Sequence, residues 1–242
     1  MPIRLEDIIE ARKRIQDSIQ VTPLAVSRSC SQIFGTQVFL KFENEQTTGS
    51  FKIRGSLNKI LGLNEEERTR GIVASSAGNH AQGVAYSALK VGAKAHIVMP
   101  ENSAIVKVLA TQDYGAEVIL HGKTYDEAYA HAKKLEQEHG YTFVHPFDDE
   151  LVIAGQGTLG IEILEAIPDL DSIVVPIGGG GLIAGIATAV KALRPAIKVY
   201  GAVSEISPGM KQLFDGKTVD APALGLTIAD GISVKKPNEP MY

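Results

Sequence analysis

The sequence predicts an α/β fold of open, mainly parallel, twisted sheets flanked by helices. Three observations predict it. Short Val- and Ile-rich runs bounded by Gly, Pro or Asn alternate with amphipathic stretches along nearly the whole chain, and such alternation gives parallel strands joined by right-handed helical crossovers. Clusters of Gly, Ser and Asn fall where a strand candidate meets a helix candidate, the place where ligands collect in such sheets. With 242 residues, 44% hydrophobic and 21% charged, the chain can bury a sizeable core in one large domain or two smaller ones.

Leu5, Ile8, Ile9, Ile15 and Ile19 share one face at helical spacing with Pro23 beyond them, so residues 5–19 are expected to form an amphipathic helix. Strands are expected at 38–42, 72–74, 95–99, 117–120, 142–144, 172–176 and 198–203. Helices are expected between them at 52–61, 79–90, 103–113, 124–138, 151–166 and 181–193. Asp126, Glu127, Lys133, Lys134, Glu136 and Glu138 read as a solvated helix face rather than a binding patch. The chain shows no low-complexity linker and no repeat, so any division into domains has to fall at ordinary loops near 64–70 and 146–150.

Charge and composition exclude several functions. Against 28 Asp and Glu stand 24 Lys and Arg, and the formal charge of −4 rules out a basic nucleic-acid footprint. Cys30 is the sole cysteine, which excludes a disulfide framework and a cysteine zinc site, and suits a buried apolar role in a reducing compartment. The start, MPIRLEDIIEARKR, is charged throughout and lacks the apolar stretch of a signal peptide, and no run is long enough to span a membrane. A cytoplasmic protein without membrane contact is expected. None of the six histidines stands in HExxH or another ligand spacing, so no metal site is expected.

Three loops carry the chemistry. In Thr48-Gly49-Ser50-Phe51-Lys52-Ile53-Arg54-Gly55, turn-forming residues open a helix and place Lys52 in its first turn. The positive end of the helix dipole and partial burial both favour the neutral amine that forms Schiff bases; a surface lysine snorkelling past Phe51 is the competing reading. In Ser75-Ser76-Ala77-Gly78-Asn79-His80, at a strand end and helix start, free N–H groups and hydroxyls suit a carboxylate or phosphate. Alternatively, Ser76 or Asn79 is there to cap the helix. The third loop, Ile177-Gly178-Gly179-Gly180-Gly181-Leu182, is the sharpest. Four consecutive glycines are costly to order, which a tight backbone path or a phosphate at the following helix start explains, a flexible turn being the plain alternative.

Rival phosphate motifs fail on spacing. Gly122-Lys123-Thr124 and Gly216-Lys217-Thr218 have Glu117 and Lys211 where a P-loop needs its earlier glycine. Gly155-Gln156-Gly157-Thr158-Leu159-Gly160 matches GxGxxG, but it follows only a weak strand candidate at 151–154 inside a helix-like run.

Together the three loops resemble those of the fold-type II pyridoxal-phosphate (PLP) enzymes. In detail they resemble the threonine/serine dehydratase family, its catabolic threonine-dehydratase branch nearest. The resemblance rests on SFKIRG at 50–55, SAGNHAQG at 76–83, DYGAEVILHG at 113–122, VIAGQGTLGIEI at 152–163, VPIGGGGLIAGIA at 175–187 and TIADGISVKKP at 227–237. It implies a larger cofactor domain at 1–64 and 149–242 and a smaller substrate-loop domain at 65–148. Pyridoxal 5'-phosphate is the implied cofactor, with Lys52 carrying it and Phe51 against its ring. Asn79 is implied at its phenolic oxygen, and Gly178, Gly179, Gly180, Gly181 and Leu182 at its phosphate. Ser76, Ala77, Gly78, Asn79 and His80 are implied to hold the substrate carboxylate. The implied reaction is deamination of L-threonine to 2-oxobutanoate and ammonia, with L-serine giving pyruvate. Lys52 would remove the α-proton, and the β-hydroxyl would leave protonated by a group near the cofactor phosphate. A homo-oligomer is expected.

Three departures qualify the resemblance. The family continues well beyond TIADG, so the C-terminal part of the larger domain is expected to be absent from this chain. Val203 stands where metal-binding members place an acidic ligand, which argues against a metal site. Ala77 stands where the racemase branch has a serine, so little racemisation is expected. The competing readings are a non-catalytic binder of PLP or an amino acid, another β-elimination or β-replacement enzyme, and a serine racemase.

Overall fold

Helix α1 (Leu5–Ile15) buries Ile8, Ala11 and Ile15, with Glu6 and Asp7 in its first turn and Arg12, Lys13 and Arg14 in its last, complementing the helix dipole. It stops short of the expected residue 19 because Gln46 draws the chain away. The Gln46 side chain accepts from Gln20 N (3.2 Å) and donates to Gln20 O (2.5 Å). The computed structural model from which these features are taken describes residues 3–219 and 227–234. Residues 235–237, the end of the TIADGISVKKP stretch, lie outside them.

Next come β1 (Leu24–Val26), α2 (Arg28–Phe34) and β2 (Phe39–Lys41), with β1 and β2 paired antiparallel. Strand β1 is too short to show a period, and α2 buries no residue and so carries no apolar stripe. Cys30, on α2, is therefore partly exposed rather than buried, which corrects the expectation for it. Helix α3 (Lys52–Leu61) coincides with its expected span. Helix α4 (Glu65–Arg70) has no apolar residue at all. A capping box between Asn64 and Glu67 starts it, and Gly71 at φ +111° ends it.

Four parallel strands follow: β3 (Ile72–Ser75), β4 (Ala95–Met99), β5 (Glu117–Leu120) and β6 (Thr142–Phe143), in the order β5-β4-β3-β6. Helices α5 (Asn79–Lys90), α6 (Ile105–Gln112) and α7 (Tyr125–His139) connect them. Both faces of this sheet are covered, as parallel sheets require. Ile72, Ala74, Ile97 and Met99 pack with Val84 and Val108, while Val73 and Val98 pack with Ala128 and Ala132 of α7. The strand order reverses at β3, so the crevice for a ligand falls beyond the carboxyl ends of β3 and β6.

Helix α8 (Glu150–Ala166) runs through the interior, with every residue from Val152 to Leu164 buried. It is followed by β7 (Ser172–Pro176), α9 (Gly181–Leu193) and β8 (Lys198–Ala202), a parallel unit in which Ile173 and Val175 face the helices and Val174 is 68% exposed. Helix α10 (Gly209–Phe214) comes after. The GxGxxG glycines lie inside α8, which removes the dinucleotide reading. They serve helix packing instead. A Cβ on Gly155 would stand 2.5 Å from Arg54 O and 2.7 Å from Gly55 Cα on α3, and one on Gly157 2.9 Å from Gly185 O on α9.

A buried ionic cluster ties the start of α3 to α8. Arg54 is fully buried and uses all its N–H groups: on Glu43 (2.8 and 2.9 Å), on Glu162 (2.6 and 3.0 Å) and on Thr158 (3.2 Å). Lys41 pairs with Glu162 at 2.7 Å, so two cations meet two carboxylates. Burial alone would raise the Glu162 carboxyl, but Arg54 and Lys41 hold it below its ordinary value.

Gly155→Ala is expected to cost about 1–3 kcal/mol, because the new methyl meets main-chain atoms that no rotamer can move aside. A lowered urea midpoint at unchanged m-value checks it; an unchanged midpoint would show that α3 and α8 can separate freely.

Candidate active site

The three loops singled out by sequence each end at a helix start whose cap residue makes no side-chain hydrogen bond, although Ser50 Oγ accepts from Lys52 N at 3.4 Å. Lys52 is the first residue of α3, with Phe51 at the cap position; Gly78 caps α5 and Gly180, at φ +95°, caps α9, none with a side-chain bond. Asn79 is the first residue of α5 rather than its cap, and Ser76 Oγ only accepts from Gly78 N at 3.3 Å. The capping reading of this loop therefore fails. Gly78 and Gly180 have no side chain to offer the first N–H groups of α5 and α9, and helix starts of this kind suit an anion.

Lys52 is partly exposed as a residue, yet its side chain is packed deeply enough that desolvation pulls its amine down to about 8. Its Nζ donates to Pro146 O at 2.7 Å and lies 5.3 Å from the Phe51 ring centre. The snorkelling lysine is thereby replaced by an inward one. Phe51 itself packs against the core formed by α8, α9 and β7.

His80 is buried, and its Nε2 donates to Val144 O at 2.9 Å because a carbonyl can only accept. Among the described residues its Nδ1 has no partner, and buried Ser75 Oγ and Thr48 Oγ1 are likewise without one. Burial first, and the Lys52 charge second, hold the imidazole at about 3, so it is neutral. Ser76, Ala77 and Gly78 are half-buried and Asn79 is exposed, so the loop opens outward while His80 anchors it.

The glycine loop follows β7, whose pairing with β8 it extends through Ile177 N to Ala202 O at 2.7 Å. A Cβ on Gly179 would stand 2.3 Å from two atoms of the Phe147 ring, and one on Gly181 would stand 2.7 Å from Phe147 O. On Gly178 it would meet Val234 and Ile232, and on Gly180 Met210, each at 3.0 to 3.3 Å. These glycines thus make the tight path that their number predicts. Leu182 packs partly into the same core as Phe51.

Sequence reasoning missed the segment that joins the three. Residues 144–149, between β6 and α8, offer Val144 O to His80, Pro146 O to Lys52 and the Phe147 ring to Gly179. A turn signal was available in the run HPFDD at the end of a strand candidate. Among the described residues, no group of three or more His, Cys, Asp or Glu is placed to hold a metal ion, and no helix is long and apolar enough to cross a membrane.

An amine of lowered basicity beside two uncapped helix starts fits an aldehyde that also bears an anionic group, together with a second anion such as a carboxylate. The lysine could supply the carbon–nitrogen bond, the glycine loop brings main chain rather than side chains to the start of α9, and among the described residues His80 Nδ1, Ser75 Oγ and Thr48 Oγ1 are without partners.

Comparison with known proteins agrees with this chemistry. Residues 15–242 match the family described as pyridoxal-phosphate dependent enzymes. The chain is 49% identical over 237 residues to the L-threonine ammonia-lyase of Thermotoga maritima, a match covering 98% of this chain and 59% of that protein. It thus spans less than two thirds of that relative's length. Among solved structures, the processed form of threonine deaminase isoform 2 from Solanum lycopersicum superposes with a TM-score of 0.90 at 38% identity, covering 97% of this chain and 64% of that one. Maize serine racemase superposes with a TM-score of 0.92 at 36% identity, covering 97% and 71%.

The neutral His80 makes the fold sensitive to acid. Its folded value, about 3, is depressed from 6.5, so its contribution to stability is complete above 6.5 and is lost as pH falls through that window towards 3. Urea midpoints measured from pH 7 to 4 are expected to fall more steeply for the native chain than for His80→Asn, which does not titrate; parallel profiles would contradict the assignment.

Proposed function

The chain belongs to the family of pyridoxal-phosphate-dependent enzymes, and from that premise we propose that it deaminates L-threonine to 2-oxobutanoate and ammonia, and L-serine to pyruvate. The observation that carries the proposal is Lys52, whose amine is lowered to about 8 where the loop after β3 and the glycine loop converge on residues 144–149. The name of the Thermotoga relative supports the same reading.

Lys52 would hold the cofactor, with Phe51 beside its ring and Asn79 at its phenolic oxygen. Gly178, Gly179, Gly180, Gly181 and Leu182 would take the phosphate at the start of α9. The loop from Ser76 to His80 would take the substrate carboxylate at the start of α5. When bound, the cofactor supplies an electron sink that acidifies the α-proton of an amino acid. Lys52 Nζ, near half-neutral at pH 8, removes that proton. Pro146 O keeps the amine directed into the site when it is free, at 2.7 Å. Neutral His80 adds no charge that would compete with Lys52 for the substrate carboxylate and fixes the 76–78 turn through Val144. Loss of the β-hydroxyl as water, followed by hydrolysis, yields the keto acid and ammonia.

Elimination is favoured over racemisation by Ala77. Returning a proton with inverted stereochemistry needs a second acid on the face opposite Lys52. An alanine has no transferable proton; Ser76, one residue further back, has its Oγ turned to Gly78 N, from which it accepts a hydrogen bond at 3.3 Å. We further propose the division into a larger domain at 1–64 and 149–242 and a smaller one at 65–148, a homo-oligomeric assembly, and a cytoplasmic location.

Keto-acid formation from L-threonine is expected for the native chain and is expected to fall by about 10²–10⁴-fold in Lys52→Ala. Borohydride reduction of the PLP-loaded protein should label Lys52; a label on Lys41 or Lys59, or D-serine accumulating from L-serine as fast as pyruvate, would overturn the reading.

Gly179→Asp drives a side chain against the Phe147 ring and places a negative charge near the start of α9. PLP affinity, measured by titration, is expected to drop by at least about tenfold. Unchanged affinity would put the phosphate elsewhere.

A further inference from the structure

His145 has no part in the reaction as derived above, yet it builds the segment on which the three loops meet. Its Nδ1 accepts two main-chain N–H groups, from Phe147 at 3.3 Å and from Asp148 at 2.8 Å. Only a free lone pair accepts, so Nδ1 carries no proton. An acceptor at one residue that takes the N–H groups two and three residues on is the pattern by which Asn and Asp side chains close turns. Asp149 repeats it at the start of α8, accepting from Leu151 N at 2.9 Å and Val152 N at 3.1 Å. The turn closed by His145 contains Pro146, whose carbonyl holds Lys52 Nζ, and Phe147, whose ring lies on Gly179 and whose carbonyl lies beside Gly181.

Resting on the reading of Lys52 as the cofactor lysine, we propose that His145 is a positioning residue. As a neutral acceptor it closes the turn that aims the Lys52 amine and braces the glycine loop, and protonation of its ring opens that turn and loosens the hold on PLP. The surroundings keep the turn closed near neutrality. Tyr129 of α7, Phe143 of β6 and Phe147 pack around the ring at 6.2, 6.1 and 4.7 Å between centres. Desolvation is the largest influence and lowers the imidazole. Asp148 and Asp149 favour its charged form, while Lys52 and Lys133 oppose it, and the balance lies below the ordinary histidine value. Buried His80, neutral down to about 3, adds no charge in this range.

Two variants separate the acceptor from the titration. His145→Asn keeps an oxygen in reach of both N–H groups and does not titrate, whereas His145→Leu removes the acceptor. The first readout is hydrogen exchange at the Phe147 and Asp148 amides in the cofactor-free full chain. About tenfold or greater protection is expected in the native chain and in His145→Asn, and its collapse in His145→Leu. The second readout is PLP titration followed by absorbance. At pH 8, His145→Asn is expected within about threefold of the native affinity and His145→Leu at least about tenfold weaker. Lowering the pH to 5.5 is expected to weaken the native chain at least about fivefold more than His145→Asn. Equal protection in His145→Leu and the native chain would overturn the proposed turn. Equal pH dependence in the native chain and His145→Asn would overturn the role of ring protonation. A native chain that binds no PLP would overturn the functional reading, while the exchange arm, read without cofactor, still decides whether His145 closes the turn.

Discussion

The contact on which the rest depends is the close crossing of α8 with α3 and α9, where glycine meets glycine. Gly155 lies against Gly55 and Arg54 on one side, and Gly157 against Gly185 on the other. With ordinary side chains at these points the helices would stand apart by about the 8–10 Å of usual helix packing, and the residues at their starts would move with them. Lys52 opens α3 and Gly181 opens α9, so the position of the amine and of the glycine loop follows from how α8 is packed. The ionic cluster around Arg54 adds orientation to closeness. A planar guanidinium held on two carboxylates fixes the rotation of α3 about its axis.

Burying that cluster is tolerable because its charges balance. Lys41 and Arg54 face Glu43 and Glu162, and Glu162 stays ionised despite its burial. The site beyond it follows the opposite rule. Two helices begin there without a side-chain bond from their cap residues, and among the described residues His80, Ser75 and Thr48 keep polar atoms unpartnered. Each such group costs stability that ordinary capping and pairing would supply. Buried Gln156 on α8 is likewise unpartnered among the described residues, so the pair of helix starts, and not the orphaned atoms alone, sets the site apart.

The sequence made most of this legible where a period or a junction was long enough to read. The spans 52–61, 79–90, 95–99, 117–120, 172–176 and 181–193 coincide with the helices and strands found there. What escaped had no period to show. Strand β1 has three residues, α2 buries none, and α4, EEERTR, contains no apolar side chain, although its Asn64 to Glu67 spacing is a readable start signal. The three loops were legible because clustered glycines and a lysine at a helix start are unusual. Residues 144–149 offered only a turn signal, HPFDD, because the carbonyls of Val144 and Pro146 do their work through the main chain, and a main-chain contact leaves no residue type to recognise. The GxGxxG of α8 shows the converse: glycines spaced to suit a phosphate loop were spaced to suit two helix crossings.

The Lys52 amine gathers these constraints into one quantity. Desolvation lowers it to about 8, and its position at the start of α3 also disfavours the cation. The Pro146 carbonyl acts the other way, since a hydrogen bond to an ammonium is stronger than one to a neutral amine. A lysine without that carbonyl would lose its direction, and one with a carboxylate in its place would be locked as a cation. A single neutral acceptor, supplied by a main chain that bears no charge, orients the amine while leaving proton loss accessible near neutral pH. Amine and positioning partner are thereby kept separate, which suits the double role proposed for Lys52, to hold a cofactor and to move a proton.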